Sequence, residues 1–169
     1  METLLTMDLG WTQSAVTRFE RPLLAYVRRM LGDAERSRDV VQDTFLQLCR
    51  QSRSDVEPKL APWLFAVCRR RVIDILRQQN TERRMTATVE LSDYGMETKA
   101  YETVENRDTS QVLMLHLDDL PDQQREAVLL KFQQGFSYKE IADVMELSVS
   151  HVGVLLHTAI KTLRERMSD

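Results

Sequence analysis

Three side chains near the end of the first quarter of the chain, Asp39, Gln42 and Asp43, are separated by three and four positions. On a helix they share one face, where two carboxylates and an amide suit a basic partner surface. On spacing alone, a solvated face is the plainer reading. Farther along come Arg69, Arg70, Arg71 and Arg77, and then Arg83 and Arg84. These supply the charge that holds phosphates. Trp63 and Phe65 are aromatic enough to stack on a base, but both fall within an apolar pattern and read as core.

Residues for covalent or metal chemistry do not assemble. No Ser/His/Asp or Cys/His arrangement and no glycine-rich phosphate loop is in place, and Asp118-Asp119 lie side by side rather than converging on a site. Cys49 and Cys68 form no CxxC pair and read as ordinary buried thiols. His116, His151 and His157 are scattered. The expectation is a protein without catalytic residues, metal or cofactor.

The elements that would position the charged groups are helical. Val16, Phe19, Leu23, Val27 and Met30 predict a first helix over 12–31, ended by Gly32 in the left-handed region. Asp33 is the expected N-cap of a second, with Val40, Val41, Phe45 and Leu48 inward. Ser52 to Pro58 reads as a loop. Pro62 suits the first turn of a third helix that buries Leu64, Cys68, Val72 and Ile75 or Leu76. From about Thr81 to Thr109 the periodicity dissolves into a polar, acidic stretch, expected to be a linker.

Order returns near Gln111. Val112, Leu115 and Leu120 suggest a short helix before Pro121; Ala127, Val128, Leu130 and Phe132 a second, closed by Gly135. Ser137-Tyr138-Lys139-Glu140 is a capping box. It opens a short helix carrying Ile141, Ala142 and Val144. A tight turn at Glu146-Leu147 leads to Ser148, N-cap of a last helix burying Val152, Leu156, Ala159 and Leu163. Two capped helices around a brief turn form a helix-turn-helix.

The net charge of −3 argues against indiscriminate nucleic-acid binding, but its distribution is uneven. Residues 1–80 hold 13 basic and 10 acidic side chains, whereas residues 111–169 hold 6 and 9. One small DNA-facing surface on a protein that leans on a larger partner fits this pattern. No run approaches the ~20 apolar residues that span a bilayer. The first ten residues, with Glu2 and Asp8 and no basic cluster, make a poor signal peptide. A cytoplasmic protein without membrane insertion is expected.

Taken together, the two halves resemble the extracytoplasmic-function (ECF) group of the sigma-70 family. The first resembles region 2 through Asp39-Val40-Val41-Gln42-Asp43-Thr44-Phe45 and Pro62-Trp63-Leu64-Phe65-Ala66-Val67-Cys68-Arg69. The second resembles region 4 through Leu120-Pro121, Arg125, Gly135-Phe136-Ser137-Tyr138-Lys139-Glu140-Ile141-Ala142 and Ser148-Val149-Ser150. The resemblance implies an all-α fold of two small domains. These are a region 2 bundle of three or four helices over 11–84 and a region 4 helix-turn-helix over 111–169, joined by a linker over 85–110.

It also implies partners: core RNA polymerase, through the beta-prime coiled-coil and the beta flap, promoter DNA, and an anti-sigma factor. Asp39, Gln42 and Asp43 would bind the coiled-coil. Arg69, Arg70, Arg71, Arg77, Arg83 and Arg84 would face the minus-10 DNA. Many relatives have Asn where this chain has Arg70, so their minus-10 preference does not transfer. The last helix would face the minus-35 element with Ser148, Ser150, His151, Val154, Leu155, His157 and Lys161.

This last helix departs from the basic, hydroxyl-rich pattern of relatives. Gly153, Val154, Leu155 and Ile160 stand where Lys and Arg are common. Two readings follow. Either the helix reads an unusual or weak minus-35 sequence, which its intact caps favour, or Val154, Leu155 and Ile160 form a protein-binding patch. A polymerase-independent helix-turn-helix regulator is the alternative for the whole chain; it predicts a dimer and a palindromic site.

Overall fold

The structure, a computed structural model, describes residues 9–85 and 115–168, without the side chains of 83–85. Among the described residues every regular element is helical. The chain divides into two compact units, Met1–Thr98 and Lys99–Asp169. The expected linker over 85–110 lies almost wholly outside the described residues, as do Val112 and the start of the expected helix near Gln111.

In the first unit, α1 (Leu9–Leu31), α2 (Ala34–Cys49) and α4 (Leu60–Met85) pack on one another pairwise. Leu23, Val27, Val40, Leu48, Leu64, Phe65, Cys68 and Val72 are almost wholly enclosed between them. Pro22 lies inside α1 and cannot donate to the Arg18 carbonyl. The helix continues because Leu23, Tyr26 and Val27 follow on its buried side. Gly32 (φ 72°) ends α1 and donates its N–H to the Arg28 carbonyl at 2.8 Å. Asp33 then caps α2, its carboxylate accepting from the N–H groups of Glu35 and Arg36.

The expected loop at 52–58 is instead mostly helical: α3 (Arg53–Val56) runs into a 3₁₀ turn, Glu57–Lys59. The Arg53–Glu57 ion pair at 3.1 Å spans one helical turn, and Val56 is buried. A single apolar anchor in a polar run carries no periodicity. Nor does order stop at Thr81, since α4 continues to Met85. Buried Ser37 and Thr44 are satisfied locally, their hydroxyls donating to the carbonyls of Asp33 and Val40.

In the second unit, α5 (Asp122–Phe132), α6 (Tyr138–Met145) and α7 (Val149–Met167) enclose Leu130, Ile141, Val152, Leu156 and Ala159. Both halves of the capping box form: Ser137 Oγ accepts the Glu140 N–H at 3.1 Å, and the Glu140 carboxylate accepts the Ser137 N–H at 2.9 Å. Glu146 (φ 57°) takes the left-handed position that ends α6, and Ser148 caps α7 by accepting the His151 N–H. Leu115 and Phe132, two of the apolar residues that pointed to helices here, are 69% and 61% exposed, while Leu117 is buried.

Candidate nucleic-acid and protein interfaces

The buried side of α2 is set by Val40, Val41, Thr44, Phe45 and Leu48, which leaves Asp39, Gln42 and Asp43 exposed on the far side. Leu46 joins them: it follows Asp39 by seven residues and Asp43 by three, and it is 55% exposed. An apolar side chain flanked by two carboxylates and an amide gives this face both charge and a greasy centre. Such a combination suits a protein partner better than a polyanion. The sequence pattern missed Leu46 because it falls outside the apolar stripe of Val40, Val41, Phe45 and Leu48, and a single leucine between polar residues carries no signal of its own.

On α4, Arg70, Arg71 and Arg77 are exposed and Arg69 is half-buried. Arg70 and Arg77 are two turns apart on one stripe, about 10 Å along the axis, with Asp74 between them and Arg71 to one side. The backbone at Arg83 and Arg84 continues the same helix, but their side chains lie outside the described residues. Phe65 is fully buried, its ring centroid 5.1 Å from that of Tyr26, so it is core. Trp63 is half-buried.

Cys68 is also core, and burial pushes its thiol up to about 12, against the opposing effect of the Thr44 hydroxyl 3.1 Å away. A thiol so placed stays protonated and unreactive. Among the described residues no group of three His, Cys, Asp or Glu side chains is placed to hold a metal ion.

On α7 the helix phase separates the expected DNA-facing residues. Ser150, His151, Val154, His157 and Lys161 are exposed and follow one another at helical spacing along the outer face. Leu155 is 9% exposed and packs into its own unit, so its side chain is not offered to a groove. Ser148 is exposed but engaged as the N-cap. The apolar patch of Val154, Leu155 and Ile160 does not assemble either: Val154 is 63% exposed, Leu155 points inward and Ile160 is half-buried. What remains outside is polar, with Val154 as an isolated apolar contact.

Gly153, also on α7, faces the ring of Tyr138; a Cβ there would stand 3.7 Å from Tyr138 Cε2, an ordinary contact. The Lys131 ammonium lies 5.5 Å from the centroid of the same ring. Arg125 and Arg166 tie the segment before α5 to the rest of the unit. Arg125 donates to the carbonyls of Leu117, Asp118 and Leu120, and Arg166 to Asp119 Oδ2 at 3.0 Å. No described helix is long and apolar enough to cross a membrane.

Comparison with known proteins agrees with this division. The family model described as sigma-70 region 2 matches residues 15–82, and that described as sigma-70 region 4 matches residues 110–163. The ECF RNA polymerase sigma factor SigM of Bacillus subtilis is 27% identical over 139 residues, covering 82% of this chain and 84% of that protein. The ferric citrate uptake sigma factor FecI of Escherichia coli is 27% identical over 160 residues, covering 95% and 86%. Among solved structures, the sigma factor RpoE of Bartonella quintana, in complex with the anti-sigma factor NepR, has the same fold. Its TM-score is 0.68 at 21% identity, over 92% of this chain and 96% of that one. With one family domain matched in each unit and ECF relatives along most of its length, the chain belongs to the sigma-70 family as an ECF RNA polymerase sigma factor, a class of proteins that are not enzymes.

Proposed function

We propose that this sigma factor binds core polymerase through the outer face of α2, with Asp39, Gln42 and Asp43 surrounding Leu46. The single observation that supports this most is that stripe: charged, amide and apolar groups exposed together on a helix whose other side builds the core. The partner is the beta-prime coiled-coil, whose basic surface the carboxylates complement. The beta flap receives the second domain. Arg69, Arg70, Arg71 and Arg77, continued by Arg83 and Arg84, hold the phosphates of the minus-10 DNA while its bases unstack, a cost of a few kcal/mol per base.

The outer face of α7 meets the minus-35 element, with Ser150, His151 and His157 as hydrogen-bonding groups, Val154 against a thymine methyl, and Lys161 on a phosphate. The polar character of that face favours DNA over a protein patch. Residues 85–110 link the two domains, and the protein works in the cytoplasm beside the polymerase. An anti-sigma factor holds it in check, as the complex of the Bartonella relative suggests by analogy. Run-off transcription with purified core polymerase tests the reading. Specific transcripts that appear only when this protein is added are expected, and their absence, together with dimeric binding to a palindrome, would favour the polymerase-independent regulator.

A further inference from the structure

Each long helix of the first unit turns an outer face to solvent, and that of α1 carries one sign of charge. Arg18, Arg21 and Arg28 lie with Ala25 at successive steps of three, four and three residues, opposite the side that buries Leu23, Tyr26 and Val27. Arg18 and Arg21 are exposed and Arg28 is half-buried. The stripe extends about 15 Å along the helix axis. Glu20, the one acidic residue of α1, stands about 100° round the helix from Arg21 and interrupts nothing. The Arg18 guanidinium rests 5.1 Å from the Phe19 ring centroid, which restrains it before any partner arrives.

The choice of arginine is informative. Residues 1–80 contain 12 Arg and a single Lys, Lys59. A solvated face needs only charge, whereas the planar guanidinium fork matches phosphate oxygens two at a time. Unlike α2, this face exposes no large apolar centre for a protein partner. We infer that the outer face of α1 is a second phosphate-binding surface for the backbone of promoter DNA, separate from the arginines of α4. The inference rests on the promoter-binding function proposed above.

The test is to saturate core polymerase with wild-type protein or with Arg18→Gln/Arg21→Gln and titrate promoter DNA between 50 and 200 mM salt. Two lost phosphates at about 0.9 each make the slope of log affinity against log salt shallower by about 1.8, so the deficit of the variant shrinks about tenfold across that range. The loss is equal for promoters of different sequence, affinity for core is unchanged, and Arg18→Lys/Arg21→Lys keeps the wild-type slope. Ala25→Glu, which leaves every arginine in place, weakens DNA binding in the same salt-dependent way. An unchanged slope and affinity overturn the inference, and so does loss of core binding, which would make α1 a polymerase contact. If the wild-type protein itself fails to join core polymerase, the underlying function fails separately. The salt slope of the free chain on the same duplex then decides what the stripe does.

Discussion

Arg125 Nε donates to the Leu117 carbonyl at 2.9 Å, and Nη2 of the same guanidinium reaches the carbonyls of Asp118 and Leu120, also at 2.9 Å. Its side chain is only 12% exposed. One cation thus bonds three carbonyls at the end of a helical turn, of which that of Leu117 also accepts the Leu120 N–H at 3.0 Å, and fixes the segment entering α5.

Arg125→Ala is expected to destabilise the protein by about 2–3 kcal/mol, because it strands the Asp118 and Leu120 carbonyls as well as removing charged hydrogen bonds. Arg125→Lys recovers only part of this, since one ammonium cannot span three acceptors held in a fork. Urea denaturation of the full chain checks the order wild type, Lys, Ala.

The face of α2 gives a separable pair of outcomes. Leu46→Ala is expected to weaken binding to core polymerase about tenfold, as for an apolar centre ringed by polar groups. Asp43→Arg weakens it at least as much by reversing a charge on the contact. Neither side chain supports the core, so stability changes by no more than about 0.5 kcal/mol. Anisotropy titration with core, beside thermal melting, checks both halves.

Local backbone demands were legible in the sequence, and facing directions were not. Gly32, Asp33, the Ser137–Glu140 box, Glu146 and Ser148 stand where expected because each answers a requirement of the backbone within a few residues. Leu155 was misread, and Leu46 passed over, for one common reason. Which side of a helix is covered depends on the elements packed against it, and α7 is covered by α5 and α6 over an arc wide enough to take in Leu155. Short α3 was missed because its single buried anchor, Val56, leaves no repeat to detect.

Burial of Cys68 links alkaline pH to stability. Its folded value of about 12 exceeds its ordinary 9.0, so between those limits the unfolded chain holds fewer protons than the folded one. The stabilising contribution is complete below pH 9.0 and is lost as pH rises toward about 12. In the native protein at pH 8, iodoacetamide is expected to label half-buried Cys49 first and Cys68 only after unfolding. Peptide mass spectrometry reads the two sites apart, and Cys68→Ala should flatten the alkaline limb.

Gly153 sits inside α7, where neither a positive φ nor lack of space calls for glycine. Gly153→Ala is therefore expected to stabilise the helix by about 0.5–1 kcal/mol, since alanine loses less backbone freedom on folding. A higher urea midpoint with unchanged DNA selectivity would place the glycine's effect in the helix rather than in recognition.

The outer face of α7 separates charge from sequence reading. Lys161→Gln, at an exposed position down the helix, is expected to lower affinity for every minus-35 sequence alike and to make the salt slope shallower by about 0.9, one phosphate contact. Val154→Ala removes the lone apolar group of that face and leaves the charge intact. Its cost of about 1 kcal/mol therefore falls on promoters with thymine at one position, while the salt slope stays as in the wild type. Selection of promoters from a random library by the three holoenzymes distinguishes the two effects. Equal losses across sequences for both variants would mean that α7 holds the backbone without reading bases, leaving selectivity to the first domain.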